Sequence, residues 1–432
     1  MAFDPYLVII GASLLVAISY IFDMASRKTS IPSVLFLIST GIGLKYISLY
    51  FDLEFGAALF NVLELLGIIG LIMIVLEAAV DLKLSRDKVG VIRKSFVLAI
   101  IVLVISSIGI AMAIMYFREE PFFNSLVYAI PLSVVSTAVL IPSVHNLSEG
   151  KKEFLIYEST FSEILGILFF NFVVIQGGQI FSMDGIMMIF FTVVVSILSS
   201  YLLVFFFTKI KTHIKFFLML AILALLYSLG KQLHLSPLLI ILIFGLVLNN
   251  TRLFFFGRLR ELIDFKSADS VTRDFKIVTG ESAFVVRTFF FVTFGFSINL
   301  AVLADWRVIM IGTIIVAILY LVRYLNFKIF LKTKVFPEIF LSPRGLITIL
   351  LFFSIPAQYQ IANFSVGILF FVILTTSIIM MIALMRTPGV RQGEVEYMEK
   401  GLSPTSSLFA NEPSGPHCSV ENNFGADSQN KT

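Results

Sequence analysis

Apolar runs of about 20 residues, each long enough to cross roughly 30 Å of hydrocarbon, follow one another along almost the whole chain, with charge gathered between them. They predict spans near 6–22, 31–49, 59–80, 92–117, 126–146, 154–175, 186–208, 215–230, 236–249, 281–300, 307–331, 336–356 and 364–386. The expected fold class is an all-α integral membrane protein of about thirteen transmembrane helices. Division between 215–230 and 236–249 rests on Ser236-Pro237, a good helix start. Residues 250–280 carry mixed charge interleaved with Phe and Leu, which predicts an amphipathic helix at the interface. From about Pro388 to Thr432 the chain turns polar and rich in Ser, Pro, Asn and Gly, so residues 1–386 are expected to form the membrane domain and 387–432 a disordered tail.

Composition agrees with this pattern: 58% of residues are hydrophobic and only 14% charged, against about 25% charged in soluble domains. A net charge of +4 spread between spans argues against nucleic acid as a partner. The lone Cys418 excludes an internal disulfide or a thiolate cluster. Asp4, rather than a basic segment, precedes Tyr6–Phe22, so the first span is expected to be retained.

Lys and Arg collect in alternate connections, among them Lys83, Arg86, Lys88, Arg93 and Lys94, then Lys151 and Lys152, then Lys328, Lys332 and Lys334. The positive-inside rule makes these cytoplasmic, with the N-terminus outside, the C-terminus inside and an odd number of crossings. Six spans, a linker and six more put the second set in inverted orientation, and 126–146 then corresponds to 336–356. Both are interrupted, the first between Pro131 and Pro142, the second at Ser342-Pro343-Arg344-Gly345. Broken helices at matching places of an inverted repeat point to a midplane substrate site.

Ionisable residues inside a membrane span are costly and mark function. Glu158 and Glu163 in the sixth span, Arg287 in the tenth and Arg344 near the start of the twelfth form the expected set. Helical spacing stacks Glu158 on Ser162 and aligns Ser159, Glu163 and Gly166. Carboxylates and hydroxyls are hard oxygen donors suited to an alkali cation, and His145, His213, His234 and His417 stand away from them, which argues against zinc. A buried carboxyl group can hold a proton or a metal cation, but not both. Arg344 is the expected partner of Glu158, because an unpaired guanidinium at that depth would be costly. Glu163 is left to carry the ion, with Arg287 modulating it or pairing with it. Ser136 and Thr137 stand at the break of the fifth span, where freed carbonyls and hydroxyls can face a cation. Glu77 and Asp81 are expected to form a solvated end of the third span.

At these residues the chain resembles the cation:proton antiporter superfamily, sodium/hydrogen exchanger type. Ile31-Pro32-Ser33-Val34-Leu35 with Gly41 and Gly43, Leu66-Gly67-Ile68 leading to Glu77 and Asp81, and Ser136-Thr137-Ala138-Val139 carry the resemblance. So do Glu158-Ser159 with Ser162-Glu163, Arg287 with Gly295, and Arg344-Gly345. The resemblance implies exchange of Na+ or K+ for H+ by alternating access, with a six-helix core moving against a dimerisation domain in a homodimer embedded in the lipid bilayer of the cell membrane. It implies Glu163 as the ion-binding carboxylate, Ser159, Ser162, Ser136 and Thr137 as further ligands, Glu158 with Arg344 as a stabilising pair, and no cofactor. Ser162-Glu163 departs from the usual Asn-Asp or Asp-Asp, and Thr137 stands where Asn-Asp members often have Asp. One titratable carboxylate there resembles electroneutral exchangers. A cation channel is the competing reading, but no repeated carbonyl filter is present, and a membrane enzyme would need converging catalytic groups that the spans lack.

Overall fold

The computed structural model describes residues 5–29, 31–51, 69–70, 72–84, 88–144, 147–177, 183–209, 215–232, 237–255, 265–331, 336–362 and 364–387. The expected tail from Pro388 onward, the first part of the third span and all four histidines lie outside these residues. Among the described residues the secondary structure is helical, with no strand. The first helices are α1 (Pro5–Thr29), α2 (Ser33–Tyr50), α3 (72–81) and α4 (Val89–Arg118). Next come α5 (Phe122–Ser133), α6 (Thr137–Ser143), α7 (Glu149–Gln176) and α8 (Met183–Lys209). The second half holds α9 (Lys215–Gln232), α10 (Pro237–Asn249), α11 (Thr251–Phe254) and α12 (Phe265–Ser297). It closes with α13 (Trp306–Leu331), α14 (Leu346–Phe353) and α15 (Val366–Met385).

Among the described residues, eight helical segments are long and apolar enough to cross a membrane, counting Phe122–Ser143 as one. Three shorter apolar helices lie within α8, α9 and α10. With α3 and the interrupted 336–353 segment, every one of the expected spans has a helical counterpart. Pro237 opens α10, where its missing N–H costs nothing. Large apolar side chains on the outer faces, such as Phe190, Phe191, Leu198 and Leu202 of α8, stay exposed. On a chain this apolar, such surface belongs against lipid.

The amphipathic segment expected within 250–280 is helical where it is described, but from Phe265 it runs unbroken into the tenth span. At 33 residues, α12 is about 50 Å long, more than the hydrocarbon thickness, so its charged first turns project beyond the apolar layer. Lys276 on that projecting part pairs with Asp81 at 2.8 Å.

Apolar burial gives little reason for helices to associate in lipid, so close backbone packing and hydrogen bonds hold the bundle. Gly41 of α2 and Gly295 of α12 supply that closeness, since a Cβ on either would collide with a backbone carbonyl of the facing helix, that of Val292 or Ile38. Asn250, just after α10, accepts from Leu84 N at 2.7 Å and donates to Leu82 O at 2.9 Å. These bonds fix the end of α3. α4 packs against α5, α7 and α13, and so forms the wall that supports the interrupted α5–α6 segment.

Candidate functional site

The fifth span breaks because its backbone ladder is cut twice. Pro131 and Pro142 have no N–H to give to the preceding turn, and residues 134–136 run extended between α5 and α6. Backbone groups in a membrane interior must find partners, and those of the break find them on two other elements. Val135 N donates to Ser162 Oγ at 3.0 Å, Ser136 N to Pro343 O at 2.8 Å, and Thr137 N to Glu163 Oε1 at 2.8 Å. The second break, 341–345 ahead of α14, therefore touches the first directly. Gly345 permits the crossing: a Cβ there would lie 2.6 Å from Ser136 Oγ and 2.9 Å from Ser136 Cβ.

Glu163 projects from α7 into this crossing and is 1% exposed. Both carboxylate oxygens accept from Thr137, one from its N–H and the other from its hydroxyl at 2.5 Å. The carboxyl group thus sits at the first turn of α6, where the half-helix presents N–H groups and a positive dipole end that favour its ionised form. At the other side of the break, Arg344 does the opposite job. Its buried guanidinium donates to the carbonyls of Leu132 at 3.0 Å, Ser133 at 3.2 Å and Ser342 at 2.5 Å. The first two belong to the last turn of α5, whose free carbonyls favour a cation.

The expected Glu158–Arg344 pair is corrected by this geometry. Glu158 accepts a bidentate pair of hydrogen bonds from Arg323 of α13, at 2.7 and 2.9 Å, with both side chains almost wholly buried. Arg323 also donates to the carbonyls of Glu338 and Leu341, each at 3.3 Å, and stacks on Phe327 at 4.3 Å. Two parallel N–H···O bonds suit a guanidinium better than any other cation, while Arg344 is already satisfied by carbonyls. Sequence reasoning passes over Arg323 although it stands well inside the apolar 307–331 segment, so the rule that flagged Arg287 and Arg344 flags it equally. Glu338, which pairs with Lys151 at 2.7 Å, carries no such signal.

Arg287 pairs with Glu77 of α3 at 3.1 Å rather than with Glu163. Glu77 is accordingly an ion-paired and largely covered group, not the solvated helix end expected from its place in the sequence. Both residues lie within electrostatic reach of Glu163. Of the remaining expected site residues, Ser162 holds the break through Val135 N, and Ser159 is fully buried one turn before Glu163 with its hydroxyl on Ile156 O at 3.1 Å. Ser136 Oγ is buried beside Gly345 without a hydrogen-bond partner, a free oxygen at the crossing.

Two broken helices crossing beside a buried, hydrogen-bonded carboxylate define the class of secondary ion transporters. The chain belongs to the sodium/hydrogen exchanger family, since the model described as "Sodium/hydrogen exchanger, transmembrane" matches residues 12–386. It is therefore a transporter of that family and not an enzyme. Among solved structures, it is similar to that of the sodium proton antiporter MjNhaP1 from Methanocaldococcus jannaschii at pH 8, with 20% identity and a TM-score of 0.64 over 88% of this chain and 99% of that one. An electron-microscopy structure of the same antiporter is similar with 18% identity and a TM-score of 0.63, over 95% of this chain and all of the other. A comparison with curated proteins returns no match.

Proposed function

We propose that the chain exchanges one monovalent cation for one proton, with the Glu163 carboxylate holding either. The supporting observation is the contrast between two buried glutamates on α7. Glu158 is committed to Arg323, whereas Glu163 meets no Lys or Arg within ion-pair distance among the described residues and is held only by Thr137. Glu77 is committed to Arg287. One carboxylate is therefore free to exchange its charge partner, and one-for-one, electroneutral exchange follows. The acid form gives up its proton as the cation binds the carboxylate, so the site is neutral in both loaded states. The uncompensated carboxylate, costly to move through a low-dielectric layer, stays put.

The cation is Na+ or K+. The similar structures are of a protein described as a sodium proton antiporter, which favours Na+. Ser136 Oγ, Ser159, Ser162 and Thr137 supply neutral oxygens around Glu163. Alternating access follows from a core of α4–α7 and α13–α15, built around the two breaks, moving against the other helices, which hold a homodimer. The charge pattern sets the N-terminus outside and the C-terminus in the cytoplasm of a cell whose limiting membrane holds residues 1–386, with the polar 387–432 tail outside the transport unit.

Proteoliposomes with a preset pH gradient test the reading with each alkali cation in turn, with and without a clamped membrane potential. The preferred cation dissipates the gradient equally under both conditions, and Glu163→Gln abolishes the effect. Exchange by Glu163→Gln at the native rate contradicts the assignment. Cation flux that leaves the pH gradient intact favours a channel.

A further inference from the structure

At the end of the bundle where α4 begins, Arg93, Lys94, Val97 and Leu98 of α4, Phe154 of α7 and Phe330 of α13 line a cavity of about 230 Å³. It lies away from Glu163 and serves no part of the exchange chemistry. Its chemistry is divided: two cations at one side, and aliphatic and aromatic walls at the other. Val97 and Phe330 are more than a third exposed, so the apolar wall opens onto the surface that faces lipid.

Neither Arg93 nor Lys94 is neutralised by a carboxylate of the described residues. Three other basic residues at this end have acidic partners: Lys88 pairs with Glu153, Lys151 with Glu338 and Lys152 with Glu149. Two adjacent cations held over an apolar groove between transmembrane helices match an anionic headgroup joined to an acyl chain. A guanidinium suits a phosphate in particular, because it can donate two parallel hydrogen bonds.

We infer that this cavity is a binding site for an anionic phospholipid from the adjoining leaflet, its phosphate on Arg93 and Lys94 and an acyl chain along Val97, Phe154 and Phe330. Through α4, α7 and α13 such a lipid would tie together the three helices that carry the cavity.

The test uses full-length protein reconstituted into nanodiscs of equal parts phosphatidylcholine and phosphatidylglycerol, then released and weighed by native mass spectrometry. Wild type retains phosphatidylglycerol in preference to phosphatidylcholine. The double variant Arg93→Gln/Lys94→Gln loses that preference, by about fivefold for each cation and roughly thirtyfold together. Val97→Trp, which keeps both charges but fills the groove, displaces the same lipid. All three positions carry exposed side chains, and elution as a monodisperse species checks folding. Undiminished retention in either variant overturns the proposal, as does displacement of the lipid by millimolar glycerol 3-phosphate, which would identify a free-phosphate site. The readout is binding, so it stands whatever the outcome for exchange.

Discussion

At the scale of single residues, the two buried glutamates of α7, Glu158 and Glu163, differ in what holds them, and different measurements follow. Glu158 and Arg323 are both buried and joined by two hydrogen bonds. Removing one partner strands the other charge, so Arg323→Gln lowers stability by about 3–5 kcal/mol, visible as a drop in the thermal unfolding temperature in detergent. Arg323→Met combined with Glu158→Leu removes both charges and recovers much of that loss. An unaffected Arg323→Gln would contradict the pairing. Arg344→Gln would disturb the break through its carbonyls without freeing Glu158. At Thr137, Ser keeps the hydroxyl that Glu163 accepts from and Val does not. A hydrogen bond to a charged group is worth about 1.5–3 kcal/mol, so Thr137→Val weakens the apparent cation affinity by about tenfold or more, while Thr137→Ser stays near wild type. Equal affinities for the two variants would remove the hydroxyl from the site.

At the scale of elements, the interrupted spans were legible because proline chemistry is local: Pro131, Pro142 and Pro343 cut the ladder wherever they stand. Glu163 and Thr137 were legible for related reasons, a carboxyl group in an apolar span and a hydroxyl at a break. Their direct contact was not, because it depends on how α6 is set against α7. Nor was the Ser136–Pro343 hydrogen bond, which joins segments far apart in sequence. The misassigned partner of Glu158 has the same origin. Arg344 and Arg323 both stand inside apolar segments, and only packing shows that carbonyls of α5 reach the first and the carboxylate reaches the second. The continuity of α12 with its charged first half was hidden because charge spacing predicts a helix but not where it leaves the membrane. The crossing makes its own prediction. Gly345→Val places side-chain atoms where Ser136 and Val139 already are, at a cost of about 1–3 kcal/mol. Unfolding temperature and exchange rate fall together; a fully stable and active variant would mean that the breaks do not pack as described.

At the scale of the whole molecule, the expected helices and their order follow from hydropathy, and membership of the sodium/hydrogen exchanger family fits that architecture. Orientation has a natural reporter, because Cys418 is the only cysteine. In sealed cells a membrane-impermeant maleimide leaves it unlabelled until the membrane is permeabilised; labelling of intact cells would place the C-terminus outside. The central claim is that one carboxylate holds a proton or a cation in turn, and binding the cation must therefore release the proton. Calorimetric titration of the purified protein with the transported cation, repeated in buffers of different ionisation enthalpy, counts the protons released. The account predicts one proton per cation bound by the wild type and none on addition of the same salt to Glu163→Gln. Cation binding without proton release, or release that persists in Glu163→Gln, would contradict it.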